Sequence, residues 1–508
     1  MTRYLTKAAA AAVMMASALV ATACSAGSGS TPNASPGNGA DGKTLAVGLV
    51  AEPASLDFTT ADGAAIPQAL LGNVYNGLVK QDDSGKIVPD LAKSWTVSPD
   101  RKTYTFTLVD NAKFTNGAPF TAADAVFSIN RVKSAWTTSL KAAMDVVQQA
   151  TAVSPTQLKV VLGAPSNDWL FRMTTRIGAM FSQTGVDKLA TEPVGTGPYR
   201  LGSWQRGDSI TLRRNDNYWG TKPYFDQVTL KYFKDPTALN NALLTGTINI
   251  ISTVQAPESL GQFTSNDKYQ VIEGTTNGEV VLSFNNSKPV FRDKRFRQAI
   301  RHAIDHKALL DTCFAGRGKL IGSMAPPTDP WFEDLTAATP FDPAKAKSLL
   351  QASGSAGASL RLRLPTLPYA TSCGQVVKSQ LEQVGLKVRI DQLEFPAAWL
   401  TTVFKNADYD LSIISHVEPR DLGAVFGNPA YYTRYGTPQL KALLAAADAG
   451  DEKTQVAKMK EAARLLSDEA AADWLFLLPS LVVADKNITG IPKNAITEQF
   501  DLSRLARS

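Results

Sequence analysis

Apolar and polar residues alternate over several stretches in the first part of the chain. Thr44–Leu49 alternates in this way, and so do Ser94–Val97 and Thr103–Leu108, which flank the turn Ser98-Pro99-Asp100. A period of two residues places every second side chain on the same face of a strand. The pattern therefore predicts a strand at residues 44–49 and a β-hairpin with one buried face.

Other stretches carry apolar residues at helical spacing. The spacing predicts a helix over Ala65–Leu78, a helix that Thr121 caps and that runs to about Lys133, and a helix over Phe296–Leu310. Further helices are predicted over residues 235–244, 343–351, 375–384 and 439–473, and short strands over residues 386–390 and 409–415. Because helices and strands alternate in the second half, the predicted fold class is α/β.

The N-terminus has the pattern of an export signal. Arg3 and Lys7 precede the uncharged run Ala8–Ala23, which is too short to span a bilayer comfortably and ends in small residues. Residues 1–23 are therefore predicted to be a signal peptide. This points to an exported bacterial protein at the extracytoplasmic face of the membrane.

Cys24 follows this signal directly. Ala21-Thr22-Ala23-Cys24 resembles a bacterial lipobox, although Ala21 stands where leucine is usual. Acyl chains on Cys24 would anchor the protein to the membrane, whereas the alternative is an ordinary cleaved signal with an incidental cysteine. The segment 24–42 contains no aromatic residue and is predicted to be a flexible tether.

Composition narrows the possible classes of protein. The chain has 508 residues, of which 44% are hydrophobic and 19% charged, so two or three domains are expected. The net charge of +6 is spread without basic blocks, and no nucleic acid partner is expected. Cys313 and Cys373 remain for one disulfide in an oxidising compartment, with two buried thiols as the alternative.

Three blocks of sequence follow one another along the chain. They comprise Leu91–Trp95 with Asn116–Phe127, Pro193–Tyr199 with Arg214–Trp219, and Phe291–Asp305. With these blocks the chain resembles the extracellular solute-binding proteins, family 5, which serve peptide and nickel ABC importers. The resemblance spans essentially the whole chain after the predicted tether.

The resemblance implies a two-lobed, periplasmic-binding-protein-like α/β fold of class II, with mixed sheets, an extra inserted domain and a hinge between the lobes. Lobe one would combine domain I, made of residues 43–80, 188–272 and 477–508, with the inserted domain II at residues 81–187. Lobe two, domain III, would comprise residues 273–476. Solute would bridge the lobes and stabilise their closed arrangement.

The function that the resemblance implies is the capture of peptides outside the membrane and their delivery to ABC permease subunits. Alternatives are a non-peptide solute, such as a nickel chelate, a sugar or haem, and a secreted peptidase. Neither G-x-S-x-G nor H-E-x-x-H occurs, so no enzyme is expected. No cofactor is expected, and the protein is predicted to be a monomer.

Two candidate ligand-binding segments lie far apart in the sequence. The resemblance implies that Asp62, Gly63 and Ala64 pair with a peptide backbone, where glycine permits close approach; an ordinary surface loop is the alternative. Asn285 and its neighbour Asn286 lie near the expected crossover between lobes and are candidates for a hinge or cleft role.

The third candidate segment follows the predicted strand 409–415. It contributes the candidate ligand-binding residues His416, Glu418, Arg420, Asp421, Tyr431 and Tyr432, with Tyr435 close by. Peptide binders of this family hold the peptide ammonium with a carboxylate, which either Glu418 or Asp421 would supply here. Arg420 would grip a ligand carboxylate or else pair with Asp421. The tyrosines would face the ligand or pack internally.

His302 and His306 have the i, i+4 spacing of a helical metal site. No third ligand is evident near them in the sequence, and both are expected on the polar side of one helix. No metal site is therefore predicted.

Overall fold

The computed structural model describes residues 43–508. The predicted signal peptide at residues 1–23, the lipidation of Cys24 and the tether at residues 24–42 lie outside the described residues. Within residues 43–508, no helix is both long enough and apolar enough to cross a bilayer.

Strands and helices alternate along the described chain. The strands are β1 (Thr44–Leu49), β2 (Val79–Gln81), β3 (Ile87–Pro89), β4 (Ala92–Val97), β5 (Thr103–Leu108), β6 (Val147–Ser154), β7 (Gln157–Leu162), β8 (Tyr199–Gln205), β9 (Ser209–Arg214), β10 (Gln227–Tyr232), β11 (Ile250–Ile251), β12 (Tyr269–Phe284), β13 (Ser359–Pro365), β14 (Lys387–Leu393), β15 (Leu411–His416), β16 (Ala472–Asp485), β17 (Ile488–Thr489) and β18 (Ala506–Arg507). The helices are α1 (Ala65–Leu70), α2 (Ala122–Ala135), α3 (Asp168–Arg172), α4 (Pro236–Leu244), α5 (Gly261–Thr264), α6 (Lys294–Ala303), α7 (His306–Cys313), α8 (Pro343–Ala352), α9 (Pro368–Gln383), α10 (Ala397–Trp399), α11 (Leu422–Phe426), α12 (Pro438–Ala449) and α13 (Glu452–Asp468).

The largest sheet has ten strands in the order β14-β13-β15-β12-β16-β11-β1-β10-β9-β8. Parallel pairs, such as β1 with β10, and antiparallel pairs, such as β12 with β16, occur in the same sheet. This mixed α/β architecture confirms the predicted fold class.

Two long strands, β12 and β16, connect the two sides of this sheet. The first part of β12 pairs with the end of β16, which also pairs with β11; the second part of β12 pairs with the start of β16 and with β15. A register shift separates these parts between Thr275 and Glu279. The shift lies close to the predicted domain limits at 272 and 477, and the domain limits themselves stay a prediction.

A separate four-stranded antiparallel sheet has the order β4-β5-β7-β6. Tyr104 and Phe106 alternate with exposed or half-buried threonines on β5, as the hairpin pattern predicted, and the buried side of the sheet carries α2. The N-terminus of α2 has the capping box formed by Thr121 and Asp124. This sheet lies within the predicted inserted domain.

Three predicted helices are shorter than the apolar spacing indicated. The helix predicted over residues 65–78 ends at Leu70, and Gly72 adopts a left-handed φ of 73° just after it. The helix predicted over residues 296–310 is interrupted where Asp305 accepts a hydrogen bond from the backbone of Ala308 and starts α7. Asp451 likewise caps α13, which divides the helix predicted over residues 439–473.

A disulfide joins Cys313, the last residue of α7, to Cys373 in α9, with their Cα atoms 4.9 Å apart. Both helices pack on the same apolar core, beneath β12, β13 and β15. The bond therefore ties two helices that lie on one side of the large sheet.

Candidate functional site

A cavity of about 460 Å³ lies where distant parts of the chain meet. Its walls come from residues 62–64, 139–143, 168–177, 395–404 and 414–432, together with Leu444 and Glu498. These segments belong to all three predicted domains. A cavity of this size is in the range that encloses small organic ligands.

Most of the predicted ligand-binding residues line this cavity. They are Asp62, Gly63, Ala64, His416, Glu418, Asp421, Tyr431 and Tyr432. Two segments that are more than 350 residues apart in the sequence are thereby brought to one cavity. The ligand contacts of these side chains remain a prediction.

Arg176 holds the two sides of the cavity together. Its side chain is only 2% exposed, and it binds Glu498 at 2.6 Å and Glu418 at 3.1 Å. It also donates to the carbonyl oxygen of Gly63 at 3.3 Å. Arg176 follows α3 in a short turn, whereas Glu418 follows β15, so this ion pair links two predicted domains.

The loop before α1 presents Asp62 and Gly63 to the cavity. Gly63 has a φ of 121°, which is strained for any residue with a side chain, and no atom lies within 4 Å of the position of a Cβ there. The carboxylate of Asp62 has no hydrogen bond or ion pair with the described residues. Burial and Glu418 raise the pKa of Asp62, and Arg176 opposes them.

A hydrogen-bonded chain runs behind His416. The hydroxyl groups of Ser283 and Tyr432 are 2.7 Å apart, and Tyr432 Oη is 2.8 Å from His416 Nε2. On its other side, His416 Nδ1 lies 3.5 Å from Asp421 Oδ2, which accepts no hydrogen bond. The imidazole is therefore fixed at the end of β15.

The two candidate carboxylates have different surroundings. Burial acts to raise the pKa of Glu418, but Arg176 and His416 outweigh it and lower the pKa. Burial raises the pKa of Asp421 in spite of His416, and Glu418 adds to the rise. Glu418 is thus an ion-pair partner of Arg176, whereas Asp421 is a buried carboxylate without a strong partner.

Aromatic side chains form one wall of the cavity. Phe395, Trp399, Phe404, Tyr431 and Tyr432 contact one another with ring centroids 5.1–6.3 Å apart. Trp399 donates its indole N–H to Ser412 at 3.1 Å. The wall offers apolar surface to a ligand in a fixed shape.

The structure brings the Arg420 side chain neither to the cavity wall nor into an ion pair with Asp421. Arg420 does not line the cavity, and its guanidinium lies 4.0 Å from the ring centroid of Phe171 and 5.2 Å from that of Trp331. It makes no ion pair with Asp421. The backbone at Arg420 is left-handed, with a φ of 55°.

Asn285, for which a hinge or cleft role was predicted, does not line the cavity. Its amide donates to the carbonyl oxygens of Ala407 and Tyr409 at 2.8 and 3.1 Å, and its oxygen accepts from Ser287. The side chain is buried in a turn after β12, away from the cavity. Tyr435, for its part, packs on Phe426.

The predicted histidine pair is separated. His302 lies in α6, is buried and bonds the carbonyl oxygen of Pro340, whereas His306 begins α7 and bonds Asp473 at 2.9 Å. Instead, one donor atom each of His416, Glu418 and Asp421 lies within 4.8 Å of the others. Within residues 43–508, this is the group of three whose geometry could hold a metal ion.

Sequence reasoning missed several residues of the cavity: Arg172, Arg176, Trp399, Phe404 and Glu498. The close spacing of Phe395, Trp399 and Phe404 along the sequence was the available signal for the aromatic wall. For Arg176 no local signal exists, because its partners lie 242 and 322 residues away.

Comparison with known proteins identifies relatives of this architecture. A chain in Escherichia coli described as a nickel-binding periplasmic protein is 29% identical over 347 residues, covering 62% of this chain and 65% of the relative. A putative ABC transporter peptide-binding protein of Brucella ovis is 30% identical over 333 residues, covering 62% of each. The chain thus matches less than two thirds of the length of these relatives.

Solved structures have the same fold. The Helicobacter pylori protein DppA, in complex with peptide STSA, superposes with a TM-score of 0.84 at 22% identity, over 91% of this chain and 98% of that one. The Escherichia coli murein tripeptide binding protein MppA gives a TM-score of 0.84 at 23% identity, over 92% and 99%. At this identity the likeness shows the fold.

The family itself is shown by a match over most of the chain. Residues 86–464 match the family described as bacterial extracellular solute-binding proteins, family 5 Middle. This range contains the four-stranded sheet β4-β5-β7-β6, β12 and the segment 416–432 of the cavity wall. The chain belongs to the bacterial extracellular solute-binding proteins, family 5.

Proposed function

We propose that this chain is the solute-binding component of an ABC importer and that it captures short peptides in the cavity. The observation that carries this proposal is the position of the cavity between segments 62–64 and 416–432, which come from different predicted lobes. A solute that contacts both segments stabilises the closed arrangement by those contacts. The permease then distinguishes loaded from empty protein by shape.

Each part of the cavity suits one part of a peptide. Gly63 and Ala64 offer backbone groups that can pair with an extended peptide. The carboxylates of Asp62 and Asp421 are suited to an ammonium group, since neither has an ion pair with a guanidinium. The aromatic wall, formed by Phe395, Trp399, Phe404, Tyr431 and Tyr432, accommodates side chains of varied shape.

The proposal includes a place for the protein in the cell. Residues 1–23 direct export, Cys24 carries the lipid anchor, and the segment 24–42 tethers the folded part to the membrane. The protein acts as a monomer and carries out no chemistry on the solute. A peptidase would require a nucleophile with its base, a bound metal, or two adjacent carboxyl groups that share a proton and activate water.

A second candidate function is the capture of a metal chelate. His416, Glu418 and Asp421 offer one nitrogen and two carboxylate ligands within 4.8 Å, a donor set that suits nickel or zinc as cargo. The Escherichia coli relative is described as nickel-binding. In the present arrangement His416 Nε2 is bonded to Tyr432 and Glu418 Oε1 to Arg176, so direct coordination would use His416 Nδ1 and the other oxygen of Glu418.

Calorimetric titration with defined peptides tests the proposal. Dipeptides to pentapeptides are titrated into purified protein, and a Ni²⁺–histidine chelate is titrated separately. We expect one peptide per chain, with a Kd of about 10 μM or tighter. The absence of binding by every peptide length, or steady hydrolysis of the peptides, would contradict the proposal, and binding of the chelate alone would favour the second candidate.

A cavity-filling variant locates the binding. Ala424 lines the cavity on α11 and is exposed there, so Ala424→Trp occupies ligand space without repacking the core. Peptide affinity should fall at least about tenfold in this variant. Ala123→Trp is the matched control, because Ala123 is exposed on α2 and does not line the cavity.

A further inference from the structure

The charges that line the cavity are unbalanced. Two guanidinium groups, those of Arg172 and Arg176, face it. Five carboxylates line the same cavity, namely those of Asp62, Asp168, Glu418, Asp421 and Glu498. Counted without His416, the wall therefore has three more carboxylates than guanidinium groups.

The two arginines are already engaged by protein groups. Arg172 binds Asp168 at 2.9 Å and donates to the carbonyl oxygen of Arg420. Arg176 binds Glu498 and Glu418, as described above. Neither guanidinium is therefore free to hold the carboxylate of a ligand. The excess of negative charge is divided among Asp62, Asp421 and the two glutamates that share Arg176.

The carboxylate of Asp421 is placed to bind a positively charged group in the cavity. Asp421 is 4% exposed and lines the cavity. Its Oδ2 accepts no hydrogen bond from the described residues. A buried carboxylate without a partner is costly by several kcal/mol. A positively charged ligand in the cavity relieves that cost, and an anionic ligand increases it.

Two further buried carboxyl groups, those of Glu279 and Asp329, lie near Asp421 and have raised pKa values. Glu279, which is 1% exposed, pairs across the sheet with His416, and its Oε2 has no hydrogen-bond partner among the described residues. Asp329 is 7% exposed and also has an oxygen without such a partner. Burial raises the pKa of Glu279 well above its usual range, and Asp421 contributes to the rise.

We propose that the cavity selects solutes in which positive charges outnumber negative ones, such as an ammonium or guanidinium compound with an apolar or aromatic part. The excess carboxylates attract the cation, and the aromatic wall binds the apolar part and contributes cation–π attraction. This inference rests on the proposed function, because it takes the cavity to be the solute site.

A charge series of dipeptides tests this selection on the native protein. Lys-Leu, Gln-Leu and Glu-Leu have similar size and carry one positive, no and one negative net charge at neutral pH. We expect each step toward negative charge to weaken binding about tenfold, and the advantage of Lys-Leu to shrink in salt. Glu-Leu binding as tightly as Lys-Leu would overturn the inference while leaving the peptide function intact.

A pair of ligands without a peptide bond separates the two claims. Phenethylammonium and 3-phenylpropionate share a benzyl group and differ in the sign of their charge. If no peptide of any length binds, the proposed peptide function fails, and tighter binding of the ammonium than of the carboxylate still supports charge selection. The inference of charge selection is overturned if the two compounds bind equally, if the ammonium binds more weakly, or if neither compound binds.

Amide variants then assign the selection to the cavity. Asp62→Asn and Asp421→Asn should each lower the Lys-Leu to Gln-Leu affinity ratio by about fivefold or more. Asp110→Asn is the matched control, because Asp110 is exposed and pairs with Lys93 away from the cavity. An unchanged ratio in both cavity variants would contradict the inference.

Discussion

At the scale of single residues, Arg176 determines how the charges of the cavity are arranged. A buried guanidinium is tolerated only with partners, and Arg176 has Glu498 on one side and Glu418 on the other. Glu498 belongs to the same predicted lobe as the loop around Gly63, whereas Glu418 belongs to the other. The pair with Glu418 therefore forms only when the two sides of the cavity meet.

Asp329 carries a prediction about stability and pH. Burial raises its pKa to about 7, and Asp421 adds to the rise, whereas Arg420 opposes it. A carboxyl group that binds its proton more tightly in the folded chain stabilises the protein below its unfolded pKa and loses that contribution as pH rises through the folded pKa. We therefore expect the change in the free energy of unfolding caused by Asp329→Asn to be more favourable at pH 8 than at pH 5, by about 2–4 kcal/mol.

Guanidinium unfolding of the wild type and the variant at pH 5 and pH 8 measures this difference. Asp334→Asn is the control, since Asp334 is exposed and its pKa is lowered by hydrogen bonds with Thr336. That substitution should show no gain at pH 8. If Asp329→Asn changes the free energy of unfolding equally at both pH values, the raised pKa of Asp329 is refuted.

The site was predictable only where local pattern and resemblance coincide. His416, Glu418 and Asp421 follow a strand that the alternation predicted, and a strand end is a common place for ligand contact. Arg176 was missed because its partners are distant in the sequence. Asn285 was expected near the cleft, but its side-chain amide donates to two carbonyl oxygens in a turn after β12, and nothing in the sequence shows these bonds.

At the scale of elements, α12 makes a second contact between the predicted lobes. Asn167 donates to the carbonyl oxygens of Ala447 and Gly450 at 2.9 and 2.7 Å, and Arg101 binds both Asn167 and Gly450 at 2.7 Å. These donors satisfy carbonyl groups at the C-terminus of α12, which have no partners within the helix. This contact, here called the latch, does not involve the aromatic wall.

We expect the latch to stabilise the closed arrangement of the predicted lobes in the absence of ligand. Asn167→Ala removes two hydrogen bonds that exist only when the lobes meet, so we expect a larger radius of gyration without ligand and a Kd raised about 5- to 30-fold. X-ray scattering and titration of the same sample give both quantities. Asn130→Ala, an exposed position on α2, is the control. An unchanged radius and Kd would show that the latch does not stabilise closure.

Element types were predicted better than element ends. Apolar spacing identified helices around residues 65, 296 and 439, but each is shorter than predicted. The reason at residues 305 and 451 is the same: an aspartate caps a new helix, and apolar spacing continues across the break. Spacing reports which face is buried, and it does not report where the backbone leaves the helix.

At the scale of the whole molecule, β12 and β16 are the continuous link between the two sides of the large sheet. The register shift between Thr275 and Glu279 divides this strand pair into two parts. In one part β16 also pairs with β11, and in the other part β12 also pairs with β15. The order of the three sequence blocks was sufficient to predict this two-sided α/β fold. Periodicity alone was not, since no local pattern shows that two distant strands pair along most of their length.

In the living cell, the cavity is proposed to hold a peptide solute. Native mass spectrometry of the protein purified from its own host identifies this solute, with Ala424→Trp prepared in the same way. We expect one peptide of net positive charge per chain, absent from the variant. A metal chelate, a sugar or an anionic solute in that place, or a peptide retained equally by the variant, would contradict it.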